Sequence, residues 1–308
     1  MSKGIRKIGF GLGLALAGLG VGVGQQGAVP PAAGTMQTKM MLCDGLPCIE
    51  ARLNGGRVLR LALDTGEPTP ILDASVAREL GLTVEPVMGK DGKPVAGYEK
   101  TKVDELRSGS VRLEHVGFAV ADLSDYLKKG IMPKVDGTLA YGMFKDYVVK
   151  MDFARNELTV AQGEAGQSTT TSCGAGAMSL ITFGSYGPPV VTTTGFAVDG
   201  KPVTAQVDTM YSGTLLVYPD AAKTLGLAAP ANAKSEMFPF TDGGVEMVRG
   251  TAKTESFGDL KLGNDLPLYF AGPKVHVPEG NFMATVGMGL FQGRAITFDY
   301  VGNCFKLA

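Results

Sequence analysis

The chain has no tryptophan and only two histidines, His115 and His276, among its 308 residues. Two histidines cannot furnish a His-rich metal centre. His115 falls in an alternating strand pattern and His276 lies near Pro278, places that suit structural or exposed residues. Clusters of Lys and Arg are missing beyond the extreme N-terminus, and 29 basic residues face 30 acidic ones, which argues against a nucleic-acid partner. After the first stretch, no apolar run is long enough to cross a bilayer. Cysteine is scarce. Cys43, Cys48, Cys173 and Cys304 allow two disulfides in three possible pairings. Proximity suggests Cys43 with Cys48 and Cys173 with Cys304; the alternative is that some remain free buried thiols. The Cys43-x4-Cys48 spacing is neither a thioredoxin-type redox pair nor a usual zinc knuckle. No metal or cofactor is expected.

The N-terminus has the layout of a secretory signal. Lys3, Arg6 and Lys7 precede an uncharged, Gly-rich apolar run from Ile8 to about Val23. At about sixteen residues the run is short for a membrane-spanning helix, although an uncleaved anchor is the alternative, and only then would the chain be tied to a membrane. Residues 1–34 are therefore set apart, and a periplasmic or secreted location is expected.

What the rest of the chain does have is a repeat. Asn54–Leu82 and Asp199–Leu227 each run through a short strand pattern, an Asp-Thr pair, a turn, a second apolar run and a short helix closed by glycine. Asp73 suits an N-cap before Ala74–Leu80, Pro219 suits the first helical position of its counterpart, and Gly81 and Gly226 end the two helices. The repeat continues from Gly137 to Val160 and from Ala284 to Leu307. There Gly142 matches Gly289, Phe144 matches Phe291, and Asp152 matches Asp299. Alternation in Val111–Val120 and Ala295–Tyr300 makes the chain mainly β, with Asp91-Gly92 and Asp242-Gly243 as turn signals. The expected organisation is all-β with a few short helices, in two lobes related by a pseudo-twofold axis: 35–163 and 178–308, joined by a small, polar linker at 164–177.

Asp64-Thr65-Gly66, entered by Leu59–Leu63 and followed by Ile71-Leu72 and a short helix, resembles the active-site segment of retropepsin-like aspartic proteases. The back segments resemble that family's second signature: Thr138–Phe144 with Met151-Asp152-Phe153, and Thr285–Phe291 with Phe298-Asp299-Tyr300. The resemblance covers roughly 45–160 and 187–308. It implies a bilobal β fold with one catalytic aspartate per lobe, Asp64 and Asp208, sharing a proton and activating a water. It assigns Thr65 and Thr209 to hydrogen bonds between the two active-site loops and Gly66 to orienting the aspartate through its amide. Asp152 and Asp299 receive no catalytic role and read as structural. Extended peptide or unfolded protein is the implied partner, bound by strand addition beneath hairpins in the variable middles, with Tyr98 as the candidate flap residue. With both half-sites in one chain, a monomer suffices.

The chain departs from the pattern at particular positions. Met210 replaces the second glycine; it keeps the backbone N–H but adds a long side chain, able to deflect the loop or occlude a pocket. Glu67-Pro68 follows the first glycine where the family has small residues, and Glu67 either adds a carboxylate near the pair or points to solvent. Ser212 is placed to support Asp208, and Ala140 stands where Gly287 stands in the second copy. Two functions follow: an aspartic endopeptidase, or a catalytically impaired relative that binds extended peptides or serves a structural role.

Overall fold

Two dipeptides set the frame. Asn54-Gly55 and Asp199-Gly200 both take positive φ, 48° and 71° in the first and 50° and 76° in the second. Positive φ at both central positions is the geometry that folds one strand tightly back on the next, and Asn, Asp and Gly tolerate it best. Each turn delivers a strand that ends in an Asp-Thr pair.

The computed structural model describes residues 34–89, 92–162, 175–182, 189–238, 245–272 and 284–308. The expected signal segment, Cys173, His276 and the Asp242-Gly243 turn lie outside the described residues, as does Asp91. In chain order the first half runs β1 (Thr35–Lys39), β2 (Met41–Cys43), β3 (Leu46–Leu53), β4 (Leu59–Asp64), β5 (Ile71–Asp73), α1 (Ala74–Glu79), β6 (Glu85–Met88), β7 (Pro94–Ser108), β8 (Val111–Ala121), α2 (Ser124–Lys129), β9 (Gly137–Ala140), α3 (Tyr141–Phe144), β10 (Tyr147–Asp152) and β11 (Glu157–Gln162). The second runs β12 (Gly176–Thr182), β13 (Pro189–Val198), β14 (Lys201–Val207), β15 (Leu215–Val217), α4 (Pro219–Leu225), β16 (Ser235–Phe238), β17 (Val245–Phe257), β18 (Leu260–Ala271), β19 (Ala284–Val286), α5 (Met288–Phe291), β20 (Ala295–Asp299) and β21 (Cys304–Leu307). The protein is mostly β, and the helices are short. None of those among the described residues is long and apolar enough to cross a membrane.

The pairings of the first half recur in the second. β4 lies parallel to β9 and β14 parallel to β19, while β5 and β15 each pair antiparallel to the same partner from the other side. β5 also runs parallel to β8, and β15 to β18. The first half forms an eight-stranded sheet, β2-β3-β4-β9-β5-β8-β7-β6, with β3 also pairing β7. The halves join where β10 pairs antiparallel with β20, Val149 opposite Phe298. Aromatic contacts cross the same junction: Tyr141 meets Tyr300 edge to face at 5.3 Å, and Phe153 stacks on Phe291 at 6.4 Å. Such pairs contribute about 0.5–1.5 kcal/mol each beyond their burial.

The helix ends behave as the sequence suggests. The Asp73 side chain accepts from the Ser75 N–H and caps α1, Pro219 starts α4, and Gly226 closes it in the left-handed conformation. Asp152 accepts the Arg155 N–H at 3.0 Å and Asp299 the Gly302 N–H at 2.7 Å, each stabilising the turn after its strand. Cys43 and Cys48 form a disulfide across the β2–β3 hairpin. Cys304 is also disulfide-bonded, and its expected partner lies outside the described residues. The end of the expected linker differs from the sequence reading: Gly176 and Ala177 already belong to β12 and pair with Phe305 and Cys304. Small residues there allow close strand packing that a polarity-based reading takes for a linker.

The repeat also exposes an anomaly in the second core. Asn54 N–H donates to Glu105 O and Asp199 N–H to Thr254 O, both at 2.9 Å, which makes Leu106 and Glu255 equivalent. Leu106 opposes Leu53 in the first core; Glu255 opposes Val198 in the second. Glu255 is only 3% exposed, and neither of its carboxylate oxygens has a hydrogen-bond partner. Burial, with a smaller contribution from the charge of Asp199, pushes its carboxyl up to about 7. The folded state therefore binds this proton more tightly than the unfolded state does. The associated stability is fully present below the ordinary value of 4.5 and is lost as pH rises through about 7. Glu255→Leu should remove that loss. Relative to its own stability at pH 4, the wild type should fall behind the variant by roughly 3 kcal/mol at pH 8 in urea unfolding; parallel pH profiles for the two proteins would contradict the assignment.

Candidate active site

Asp64 ends β4 and Asp208 follows β14, so the two parallel strand pairs carry both carboxylates toward the junction of the halves. Asp208 N–H donates to Val286 O at 2.9 Å, fixing its backbone against β19. Asp64 is 1% and Asp208 5% exposed. Leu59–Leu63 reads apolar almost throughout because β4 lies between β3 and β9 in the interior of its sheet.

The two loops are interlocked by their threonines, 144 residues apart. The Thr65 N–H donates to Thr209 Oγ1 and the Thr209 N–H to Thr65 Oγ1, both at 3.1 Å. Each hydroxyl then reaches the strand of the opposite half: Thr65 Oγ1 donates to Val207 O at 2.7 Å, and Thr209 Oγ1 donates to Leu63 O. Both threonines are buried, so every one of these groups is removed from water and satisfied by its counterpart. A further bond crosses the halves: Gln206 Nε2 donates to Gly66 O at 2.8 Å. Gln206 escaped the sequence reading. Its only signal is a polar residue in β14 where the equivalent position of β4 is Ala62.

Gly66 is explained by close approach. A Cβ built there would lie 2.6 Å from Asp208 Cγ, and 2.8 and 2.9 Å from its carboxylate oxygens. The Asp208 carboxylate is therefore packed directly over the first loop. The Gly66 N–H donates to Asp64 Oδ1 at 3.1 Å. Met210 fills the equivalent place in the second loop and makes the same backbone hydrogen bond. Its N–H donates to Asp208 Oδ1 at 2.7 Å, joined by the Tyr211 N–H at 3.2 Å. The Met210 side chain is buried and joins the hydrophobic core, and the threonine interlock forms intact beside it.

The following residue differs more sharply. Glu67 and Tyr211 occupy equivalent places: Tyr141 N–H donates to Glu67 O and Met288 N–H to Tyr211 O. Tyr211 is fully buried in a cradle of glycines. A Cβ on Gly213 would come within 2.3 Å of the phenol oxygen, and one on Gly287 within 2.6 Å of the ring. A Cβ on Gly287 would also meet Tyr211 O at 2.2 Å, so glycine there, where the first half has Ala140, makes room for the close Tyr211 backbone as well as its ring. Glu67 does not point to solvent. It is 1% exposed, and both of its carboxylate oxygens lack a hydrogen-bond partner, as does Asp64 Oδ2. Burial, then the neighbouring Asp64 and Asp208 charges, holds the Glu67 carboxyl well above the usual range. Burial and the Asp208 charge do the same to Asp64, against hydrogen bonds from the Gly66 and Glu67 amides. No group of three or more His, Cys, Asp or Glu among the described residues is arranged to hold a metal ion.

The remaining expected site residues lie around this centre. Ser212 is half-buried two positions beyond Met210. Tyr98 sits on β7 of the β6–β7 hairpin and packs half-buried against the hydrophobic core.

Residues 49–142 match the family model described as aspartyl protease, a span that holds Asp64-Thr65-Gly66 and the first back segment. Among solved structures, the chain is similar to an aspartic proteinase from Irpex lacteus at 12% identity, covering 89% of this chain and 97% of that one with a TM-score of 0.48. It is also similar to a retropepsin-like aspartic protease from Rickettsia conorii at 13% identity, covering 43% of this chain and 95% of that one with a TM-score of 0.31. No match was found among the curated proteins. The resemblance read from the sequence is supported by the family match over residues 49–142.

Two substitutions test the geometry. Thr209→Ala leaves the buried Thr65 N–H and Leu63 carbonyl without partners and should cost about 2–4 kcal/mol in urea unfolding; a loss below about 0.5 kcal/mol would show that the interlock is not holding the loops. Gly66→Ala should displace the Asp208 carboxylate, seen in a crystal structure as a rotated side chain; an unmoved carboxylate would refute the close-packed arrangement.

Proposed function

We propose that this chain is an aspartic-type endopeptidase that hydrolyses peptide bonds of extended polypeptide with a water activated between Asp64 and Asp208. The observation that carries this reading is the reciprocal threonine interlock, which places both aspartate-bearing loops in one buried site. Asp208 accepts the Met210 N–H at 2.7 Å, a shorter bond than the 3.1 Å one from the Gly66 N–H to Asp64, and Asp64 Oδ2 is without a hydrogen-bond partner, so Asp208 is the better seat for the negative charge; Asp64, pushed up by burial and by that charge, is the better seat for the proton. Asp208 takes a proton from the water as its oxygen bonds to the carbonyl carbon. Asp64 gives its proton to the carbonyl oxygen. The resulting diol collapses as the proton on Asp208 passes to the departing nitrogen, the C–N bond breaks, and a diol hydroxyl returns a proton to Asp64. The products are one carboxyl and one amine terminus.

Near-complete burial of the pair means that substrate enters only when covering segments move aside. An extended peptide suits that route, because it pairs by its backbone and needs little width. Export to the periplasm or the exterior fits the Cys43–Cys48 disulfide. The buried pair and Met210 in place of glycine favour a second reading, a chain that binds extended peptide without cutting it.

Cleavage of unfolded protein by the chain lacking residues 1–34, followed by mass spectrometry across roughly pH 3 to 8, separates the two readings. Asp64→Asn and Asp208→Asn should each lower the rate by at least about 10²–10⁴-fold. Activity that survives Asp208→Asn would exclude a shared pair, and binding without cleavage by the wild type would favour the second reading.

A further inference from the structure

The buried carboxyl of Glu67 has no part in the mechanism above. It ends in two oxygens without hydrogen-bond partners, in the same loop as Asp64, whose Oδ2 is also without one. The charged groups that act on it are Asp64 at the end of β4 and Asp208 just after β14; no cationic side chain acts on it among the described residues. A carboxylate in such a place has neither donor nor cation to stabilise it, and it sits beside two further carboxyls. The equivalent position in the second half holds Tyr211, a group that stays neutral, so the fold does not require an acid there.

We propose that Glu67 is the third member of a proton-sharing cluster with Asp64 and Asp208, and that it keeps one proton on the aspartate pair to a higher pH than the pair alone would reach. This rests on the proteolytic reading only for its consequence in catalysis. The physical basis is mutual repulsion. Three close carboxyls lose their protons in three separated steps, because each new charge opposes the next. With one proton on the pair and Glu67 neutral, the cluster carries a single negative charge. As pH rises, the second charge goes to Glu67, outside the pair, rather than to both aspartates at once. The last proton on the pair then leaves against two existing charges. Glu67 is thus a positioning residue: it acts on the reaction through the protonation of the aspartates.

In Glu67→Gln the side chain keeps its size but cannot ionise, so the alkaline limb of kcat/KM should move to lower pH by about one unit, a loss of about tenfold at the wild-type alkaline midpoint. The acid limb should stay in place, because Glu67 is neutral there in both proteins. Glu67→Asp, which restores an ionisable group, should recover part of the alkaline range. An alkaline limb that stays in place or moves up in Glu67→Gln would overturn the proposal. A second measurement does not depend on cleavage. A carboxyl whose proton is held more tightly in the folded state contributes stability below its ordinary value of 4.5 that is lost as pH rises. Urea unfolding from pH 4 to pH 8 should therefore show a shallower fall in stability for Glu67→Gln than for wild type, and identical slopes would overturn the proposal. If the wild type cuts nothing at any pH, the proteolytic reading fails while the unfolding slopes still decide the state of Glu67.

Discussion

The threonine interlock is the constraint on which the site depends. Asp64 and Asp208 belong to different halves, and two buried carboxyls repel one another whenever both are charged. Something must hold their loops together against that repulsion. Thr65 and Thr209 do so with their own amides and hydroxyls, each reaching the carbonyl that precedes the other half's aspartate, Val207 O and Leu63 O. The bonds are buried, so water does not compete for them. They are also reciprocal, so a shift in one loop breaks partners in both. The pairing of β10 with β20 and the Tyr141–Tyr300 and Phe153–Phe291 contacts hold the halves in the orientation that the interlock requires.

Within a frame built twice, the differences between the halves carry the information. Ala62 against Gln206 adds a cross-half hydrogen bond to Gly66 O. Glu67 against Tyr211 puts an acid on one side of the pair and a neutral phenol on the other. Ala140 against Gly287 gives room to the Tyr211 carbonyl and ring, both of which approach Gly287 closely. Gly66 against Met210 leaves the backbone hydrogen bonds to both aspartates in place, so the loss of glycine does not unseat Asp208. Leu106 against Glu255 buries an acid in the second core with nothing to bond it. The strand pairings themselves are the same on both sides.

Much of this was legible in the sequence because it rests on local patterns. The apolar strands leading into the Asp-Thr pairs, the Asp73 cap and the Gly226 stop are signals of a few residues each; the Asn54-Gly55 and Asp199-Gly200 turns escaped that reading. The threonine roles came with the family resemblance; in the structure Thr65 and Thr209 exchange reciprocal hydrogen bonds. What was hidden depends on contacts between distant segments. Gln206 looks like a solvent-facing strand residue until Gly66 is placed opposite it. Glu67 is ambiguous between core and solvent because a single acid after a turn carries no periodicity. Glu255 sits in a strand with polar neighbours on both sides, and its burial becomes visible only once Val198 is set across from it. Gly176 and Ala177, small residues without periodicity, read as linker although they pair with β21.

The central claim is that one chain holds one site made by both halves. The most direct test is calorimetric titration of the chain lacking residues 1–34 with a peptide analogue carrying a hydroxyl in place of the scissile carbonyl. The account predicts one molecule bound per chain, with binding weakened by at least about 10²-fold in Asp64→Asn and equally in Asp208→Asn, because the hydroxyl sits between both carboxyls. Binding that loses affinity with one substitution and is indifferent to the other would contradict it.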